Sequence, residues 1–208
     1  MLPYNKRMKI RQLESGEGEW RWGEIRRSRY FGKKVRADEL PEFLRLIRQQ
    51  GVTTLDLLFL CIGTDRSTGD ALGPLIGSML EESGYRHVIG TLAHPLDASN
   101  LFERLHEIPP GKVAIAIDAC LGQASSLGWY QVSNRPIAPG KSVGKQLPLL
   151  GTYSIAGIVN MDAGQKYAIL QSTSLNRVMN MAREVTAAIR AVFPLPSESE
   201  GKHKEERS

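Results

Sequence analysis

The sequence has few cysteines and no long apolar segment. Cys61 and Cys120 are the two cysteines among 208 residues, too few for a disulfide scaffold, and their spacing matches no zinc-binding pattern. No apolar run approaches the ~20 residues that a transmembrane helix needs, and the N-terminus lacks the apolar segment and cleavage site of a signal peptide. We therefore expect a cytoplasmic protein that has no membrane partner.

Several catalytic and cofactor-binding motifs are also absent. Gly63, Gly69 and Gly73 do not form the G-x-G-x-x-G fingerprint, no G-K-[ST] follows them to complete a phosphate-binding loop, and there is no G-x-S-x-G elbow. The four histidines show no metal-ligand spacing. Cys120 could act as a nucleophile paired with His94, although a buried structural cysteine is the more common case. We expect no cofactor and no metal.

Positive charge is concentrated at the start of the chain. The first 36 residues carry 11 basic and 4 acidic residues, whereas the other 172 carry 16 and 18, so this arm accounts for the formal net charge of +5. Such an arm can contact nucleic acid or an acidic partner, or it can be a solvated extension laid over the domain. Because it carries no recognised nucleic-acid-binding motif, we favour the extension and do not expect nucleic acid as a partner.

The composition, with 41% hydrophobic and 24% charged residues, is that of one globular domain. We place this domain at residues 37–193, between the basic arm of residues 1–36 and a polar tail of residues 194–208 that we expect to be disordered. Alternating helix and strand patterns predict an α/β fold, a parallel-rich sheet covered by helices on both sides. Residues 134–152, rich in Pro, Gly and Lys, are predicted to form a long mobile loop.

The spacing of apolar residues predicts the individual elements. Helices are expected over about 38–50, 72–83, 97–108 and 174–193. Strands are expected over 55–62, 87–93, 113–117, 128–133, 154–160 and 167–171, with 128–133 at a sheet edge.

Two of the predicted strands end in loops rich in Gly and Asp. Asp65 and Asp70 follow the strand that ends at Ile62, and Asp118 follows the strand that ends at Ile117. Ligands of open parallel sheets bind at the carboxyl ends of strands. If these two strands are neighbours, about 4.8 Å apart, Asp70 and Asp118 face each other across one cleft. Two such carboxyl groups share a proton and provide a general acid and a general base that can activate water against an amide.

Structural roles would explain the same residues. Asp70 comes just before a predicted helix, where Asp is a favoured N-cap. Asp118 can cap the turn after its strand. The spacing alone leaves the catalytic and the structural interpretations open.

Three blocks of sequence resemble a known family. They are CIGTDRSTGDALGP at residues 61–74, IDACLG at 117–122 and SIAGIVN at 154–160. These blocks resemble the YyaC-type sporulation proteins of spore-forming Firmicutes, and the resemblance covers roughly residues 35–193. That family is similar in turn to the spore germination protease and to the HybD-like hydrogenase maturation endopeptidases. The resemblance implies their fold, a phosphorylase/hydrolase-like three-layer α/β/α sandwich with a mostly parallel sheet.

The resemblance also implies a catalytic site. Asp70 in GDALGP and Asp118 in IDA match the two acidic catalytic residues of the germination protease, which implies peptide-bond hydrolysis of an aspartic type, with spore proteins among the substrates. The hydrogenase maturation enzymes instead use such acids together with a later histidine to hold a metal. Here the next histidine after Asp118 is His203 in the tail, so we expect no metal site.

The resemblance, together with the two acids, therefore implies a sporulation-associated endopeptidase in the cytoplasm of the sporulating cell or forespore. The loop that contains Gly63, Thr64, Asp65 and Gly69 is predicted to bind a protein or peptide substrate, and the acidic site to favour basic segments near the scissile bond. The alternative is a non-catalytic protein that binds a peptide or partner in the same cleft. Exposed strand edges also permit a homo-oligomer.

Overall fold

Six strands form one sheet in the order β1-β5-β6-β4-β2-β3. The computed structural model describes residues 32–139 and 148–195, so most of the predicted arm, the centre of the 134–152 loop and most of the tail lie outside it. The strands are β1 (Lys33–Val35), β2 (Leu57–Cys61), β3 (Val88–Ile89), β4 (Val113–Gly122), β5 (Tyr130–Ser133) and β6 (Tyr153–Met161). Strands β3, β2, β4 and β6 run parallel to one another, whereas β5 is antiparallel to both β6 and β1.

Helices cover both faces of this sheet. They are α1 (Leu40–Arg48), α2 (Leu72–Glu82), α3 (Leu101–Arg104), α4 (Lys166–Gln171) and α5 (Leu175–Val192). The apolar sides of α1, α2 and α5 pack on one face, in a core that includes Phe59, Ile117 and Tyr130. The first turn of α3 packs on the other face, through Leu101 against Leu58 and Leu60 of β2 and their neighbours. The protein is a three-layer α/β/α sandwich, as predicted.

Helix α2 lies directly on the backbone at the carboxyl end of β2. A Cβ on Gly73 would lie 2.1 Å from the carbonyl oxygen of Ile62, and a Cβ on Gly77 would lie 1.9 Å from that of Gly90. No side chain fits at either position, because a Cβ contact below 3 Å forces the backbone apart. The two glycines therefore let the helix approach closely, which brings the loop before α2 over the end of β2.

Three of the predicted strands differ in the structure. Residues 167–171 belong to helix α4 instead of a strand; a short apolar run does not distinguish the two. The strand predicted over 87–93 is only the two residues of β3, because Gly90 turns the chain with a φ of +100°. The segment 128–133 contains β5, which is not an edge strand, since β1 from the basic arm pairs with its outer side.

In the described ranges, no helix has both the length and the apolar character needed to cross a membrane. The longest of them, α5, has 18 residues. Ser174 precedes it, and its side chain accepts a hydrogen bond from the Arg177 N–H and so caps the first turn. One face of α5 is buried against the sheet and its other face is exposed, the amphipathic pattern of a helix that packs on a protein core.

Candidate functional site

The carboxyl ends of β2 and β4 lie side by side. Cys61, the last residue of β2, pairs with Ile117 of β4, so these strands are neighbours, as the argument for a shared cleft requires. The predicted end of the second strand at Ile117 is wrong, because β4 continues to Gly122 and pairs with β6. Asp118 is thus the first residue of β4 beyond its pairing with β2.

The carboxyl group of Asp118 partly replaces the missing strand partner. The Ile117 carbonyl accepts a hydrogen bond from the Ile62 N–H at 2.7 Å. Backbone groups alternate in direction along a strand, so the Ala119 N–H points to the same side, where β2 has ended. That N–H donates to Asp118 Oδ1 at 2.8 Å. Asp118 therefore satisfies a backbone donor inside a strand and does not cap a following turn.

Burial makes the charged form of Asp118 unfavourable. The residue is half-buried by surface exposure, but its carboxyl group lies deep enough that desolvation raises its pKa to about 8. The hydrogen bond from Ala119 opposes this shift, and the negative charge of Asp70 adds to it. At neutral pH Asp118 therefore carries a proton.

Asp70 lies at the end of the loop between β2 and α2. The N-cap of α2 is Ala71, and no side chain there accepts a hydrogen bond from the first turn of the helix, so the interpretation of Asp70 as a helix cap is wrong. Desolvation raises the pKa of the Asp70 carboxyl group, and the buried Ser67 hydroxyl beside it counteracts part of that shift. The structure thus places two desolvated carboxyl groups close enough that the charge of one raises the pKa of the other.

Gly63 and Gly69 shape the loop that carries Asp70. Gly63 has a φ of +140°, and a Cβ there would lie 1.9 Å from the Asp70 carbonyl oxygen. A Cβ on Gly69 would lie 2.8 Å from Leu170 of α4. Their N–H groups donate to the carbonyls of Leu96 and Leu170, each at 2.8 Å. These contacts explain the glycines by backbone geometry, and a role for them in substrate binding stays a prediction.

The polar part of the loop joins the neighbouring segment around Asp97. The Thr64 N–H donates to the Asp70 carbonyl at 3.2 Å, and the Thr64 hydroxyl accepts from the Arg66 side chain at 3.2 Å. Arg66 forms an ion pair with Asp97 at 2.9 Å. Asp65 is exposed. Sequence reasoning missed Ser67 and Asp97, although both stand within or next to the loop it identified.

Cys120 shares the sheet face of Asp118, two residues further along β4. Desolvation and the charge of Asp118 raise its pKa to about 12, and Lys34 lowers it slightly. A thiol with such a pKa stays protonated and is a poor nucleophile. His94 is exposed, and no hydrogen bond joins it to Cys120 among the described residues. The structure therefore favours Cys120 as a neighbour of the acids over a Cys–His pair.

Other sites are not apparent in the described ranges. No group of three or more His, Cys, Asp or Glu side chains there is placed to hold a metal ion. A cleft bounded by Ser83, Tyr85, Arg190 and Leu195 lies at the far end of α2, away from Asp70. The two acids thus remain the candidate site.

Comparison with known sequences identifies the family. Residues 30–188 match the family described as "Protein of unknown function (DUF1256)", and the chain belongs to it. The chain is 45% identical over 131 residues to "Uncharacterized protein YyaC" of Bacillus subtilis (strain 168), covering 61% of this chain and 64% of that protein. The match thus spans less than two thirds of that protein's length. It confirms the resemblance to the YyaC-type proteins.

Among solved structures, the chain is similar to the [NiFe] hydrogenase maturation protease HybD from Thermococcus kodakarensis. The TM-score is 0.43 at 13% sequence identity, and the superposition covers 65% of this chain and 98% of that chain.

Proposed function

We propose that the protein is an endopeptidase in which Asp70 and Asp118 share one proton and activate a water molecule. The observation that carries this proposal is the electrostatic coupling of two desolvated carboxyl groups, with the charge of Asp70 raising the pKa of Asp118. Neither side chain forms a salt bridge with any of the described residues, so within residues 32–139 and 148–195 no ion pair offsets this repulsion. Acids whose surroundings separate their pKa values are suited to opposite roles in proton transfer.

The order in which the two acids ionise supports a separate role for each. Asp70 ionises first, because its charge is what raises the pKa of Asp118, so Asp70 is the general base and Asp118 the general acid. The Asp70 carboxylate removes a proton from water as the water oxygen attacks the peptide carbonyl carbon. Asp118 donates its proton to the carbonyl oxygen. As the C–N bond of the resulting tetrahedral intermediate breaks, the proton held by Asp70 passes to the leaving amine, and Asp118 recovers its own proton from the collapsing hydroxyl.

The proposed substrate is a protein or peptide, and the resemblance makes spore proteins in the cytoplasm of a sporulating cell or forespore the first to examine. The dyad is half-buried between β4 and the 63–70 loop. A substrate must therefore reach it as an extended, flexible segment instead of a folded surface.

Cleavage of a spore-protein extract by the purified full chain tests this function. We expect wild-type protein to release peptides, identified by mass spectrometry, and Asp70→Asn to lower the rate about 10²- to 10⁴-fold, the usual contribution of a general base. Asp38→Asn is the matched control, because it makes the same chemical change on an exposed residue that precedes α1 and lies outside the 63–70 loop. It should cleave at the wild-type rate.

Two results would contradict the proposal. Cleavage that survives Asp70→Asn would show that the dyad is not the active site. If no form cleaves any substrate between pH 4 and 8 but peptides still bind in the cleft, the protein is a non-catalytic peptide-binding protein.

The pH dependence of cleavage provides a second prediction. Because Asp118 must carry a proton and has a pKa of about 8, kcat/KM should fall above pH 8, about tenfold for each pH unit. Below that pH the rate should stay level until Asp70 becomes protonated. Measurement of kcat/KM from pH 4 to 10, with circular dichroism to verify folding at each pH, tests this expectation. A rate that is constant through pH 10 would exclude Asp118 as the acid.

A further inference from the structure

A row of side chains runs across the sheet from Asp118 to the edge strand. Asp118 of β4 pairs with Ala156 of β6, Ala156 with Gln131 of β5, and Gln131 with Lys34 of β1. Directly paired residues place their side chains on the same face, so all four share the face of Asp118. Three strand spacings of about 4.8 Å put Lys34 roughly 14 Å from Asp118.

A second row follows one step further along the strands. Cys120 pairs with Ile158, and the Ile158 N–H donates to the carbonyl of Trp129 at 2.9 Å. The guanidinium carbon of Arg36 lies 5.0 Å from the centre of the Trp129 ring, a cation–π contact. We name Lys34, Arg36, Trp129 and Gln131 the basic strip. It lies on the same sheet face as Asp118.

The electrostatics agree with the register. The Lys34 ammonium lowers the pKa of the Cys120 thiol, so its charge acts on the same face as Asp118. Lys33, the preceding residue, pairs with the buried Val132 and faces the other side, where it bonds to Glu39 at 2.9 Å. Strand alternation therefore separates two adjacent lysines onto opposite faces.

The basic strip is exposed, and its two cations form no ion pair with the described residues. Lys34, Arg36 and Gln131 are exposed, and Trp129 is half-buried. Over residues 32–139 and 148–195, no carboxylate forms an ion pair with Lys34 or Arg36. Glu39 accepts hydrogen bonds from the Arg36 backbone N–H and from the Lys33 ammonium, and these bonds and the charges of both residues lower its pKa. The cations on this face are thus available to a negatively charged ligand.

We propose that the basic strip is a specificity subsite that binds an acidic side chain of the peptide substrate about four residues from the scissile bond. This inference rests on the proposed function of the dyad. An extended peptide advances about 3.3 Å per residue, so a segment lying across the strands from the dyad reaches Lys34 after roughly four residues. The carboxylate pairs with Lys34 and Arg36, Gln131 donates to the peptide backbone, and an apolar neighbour packs on Trp129.

Equilibrium binding to a matched pair of peptides tests the subsite without turnover. The probes are two capped, fluorescein-labelled ten-residue peptides of Ala, Ser and Leu. They differ at only two positions, both of which are Glu in the first peptide and Lys in the second. Their binding to the full-length Asp70→Asn protein is followed by fluorescence anisotropy at low ionic strength. We expect the Glu peptide to bind about three- to tenfold more tightly, and the addition of Lys34→Glu to abolish or reverse this preference.

Lys33→Glu in the same background is the control. It makes the same charge reversal one residue away but on the opposite face, so it should leave the preference unchanged. The subsite would be overturned if Lys34→Glu and Lys33→Glu weakened the preference for the Glu peptide equally. It would also be overturned if the Asp70→Asn protein bound the two peptides equally well. Tighter binding of a single-stranded ten-nucleotide DNA with the same Lys34 dependence would also overturn it and identify a nucleic-acid surface.

The cleavage assay separates this inference from the proposed function. If wild-type protein cleaves peptides with no enrichment of Asp or Glu three to five residues from the cut, the result supports Asp70 and Asp118 as the active site and contradicts the proposed subsite. If the Glu peptide binds in a Lys34-dependent way but nothing is cleaved, the result supports the basic strip as a peptide-binding site and contradicts the proposed peptidase activity.

Discussion

Asp118→Asn is expected to reduce cleavage about 10²- to 10⁴-fold and, at the same time, to make the protein more stable at pH 8. Both effects have one cause. The fold holds a carboxyl group where its charged form is strongly desolvated, which suits a general acid and costs stability. An Asn side chain cannot donate a proton, but its Oδ1 can still accept the hydrogen bond from Ala119.

The sign of the stability effect follows from the direction of the pKa shift. The Asp118 pKa is raised from 3.8 to about 8 in the folded protein. Between these pH values the unfolded chain loses the proton while the folded protein keeps it, so the free energy of unfolding decreases as the pH rises. Below pH 4 both states are protonated and the penalty disappears. Asp118→Asn removes the titrating group and with it this pH dependence.

We expect a gain of about 2 kcal/mol at pH 8 from Asp118→Asn, less than the full linkage value because a half-buried group is partly screened by solvent. For a chain of this size that corresponds to a rise in Tm of about 4–8 °C. Thermal unfolding of wild type, Asp118→Asn and the exposed control Asp65→Asn at pH 4 and pH 8 measures it. An equal gain at both pH values, or none at pH 8, would show that Asp118 is not held in a desolvated site.

Gly73→Ala is expected to destabilise the protein by about 3 kcal/mol or more, lowering Tm by about 6–12 °C. Helix propensity predicts the opposite, because Ala is favoured over Gly by about 1 kcal/mol within a helix. The added Cβ would lie 2.1 Å from the Ile62 carbonyl oxygen and 2.7 Å from the Ile62 nitrogen. Since both contacts are with backbone atoms of the sheet, α2 must move away, and the loop carrying Asp70 moves with it.

Gly111→Ala is the control for this substitution. Gly111 has a φ of +82°, and a Cβ there would meet nothing within 4 Å, so the cost is only that of a left-handed residue, about 1–2 kcal/mol. Chemical denaturation compares the variants, and the cleavage assay reports the position of Asp70. A Gly73→Ala protein that is as stable as wild type would mean that α2 does not pack directly on the end of β2.

The elements predicted best from the sequence are those whose local pattern coincides with their burial. The apolar runs around Phe59 and Ile115 mark strands buried on both faces, and helical spacing marks α1, α2 and α5. The segment 167–171 was predicted wrongly because only Leu170 is buried there. Leu170 accepts a hydrogen bond from the Gly69 N–H, and no local pattern contains a contact between residues so far apart in sequence.

The candidate site, like the fold, is partly predictable from local sequence and partly dependent on tertiary contacts. Glycine and aspartate residues that follow apolar runs are sufficient to predict Asp70 and Asp118 as candidate site residues, since ligands of parallel sheets bind at strand ends. The pairing of Cys61 with Ile117, the extension of β4 past β2, and the desolvation of both carboxyl groups follow from strand order and packing. Lys34 and Gln131 had no local signal, because only the register across four strands relates them to Asp118.

The sequence by itself determined the α/β class, the main buried strands and helices, and which two acids could share a cleft. These properties depend on apolar periodicity and on residues close to one another along the chain. The tertiary structure decided the order of the strands, the close approach of α2 at Gly73, the desolvation that raises the pKa of both acids, and the basic strip beside Asp118. Each depends on distances between residues far apart in sequence, and electrostatic and steric energies depend on distance in space.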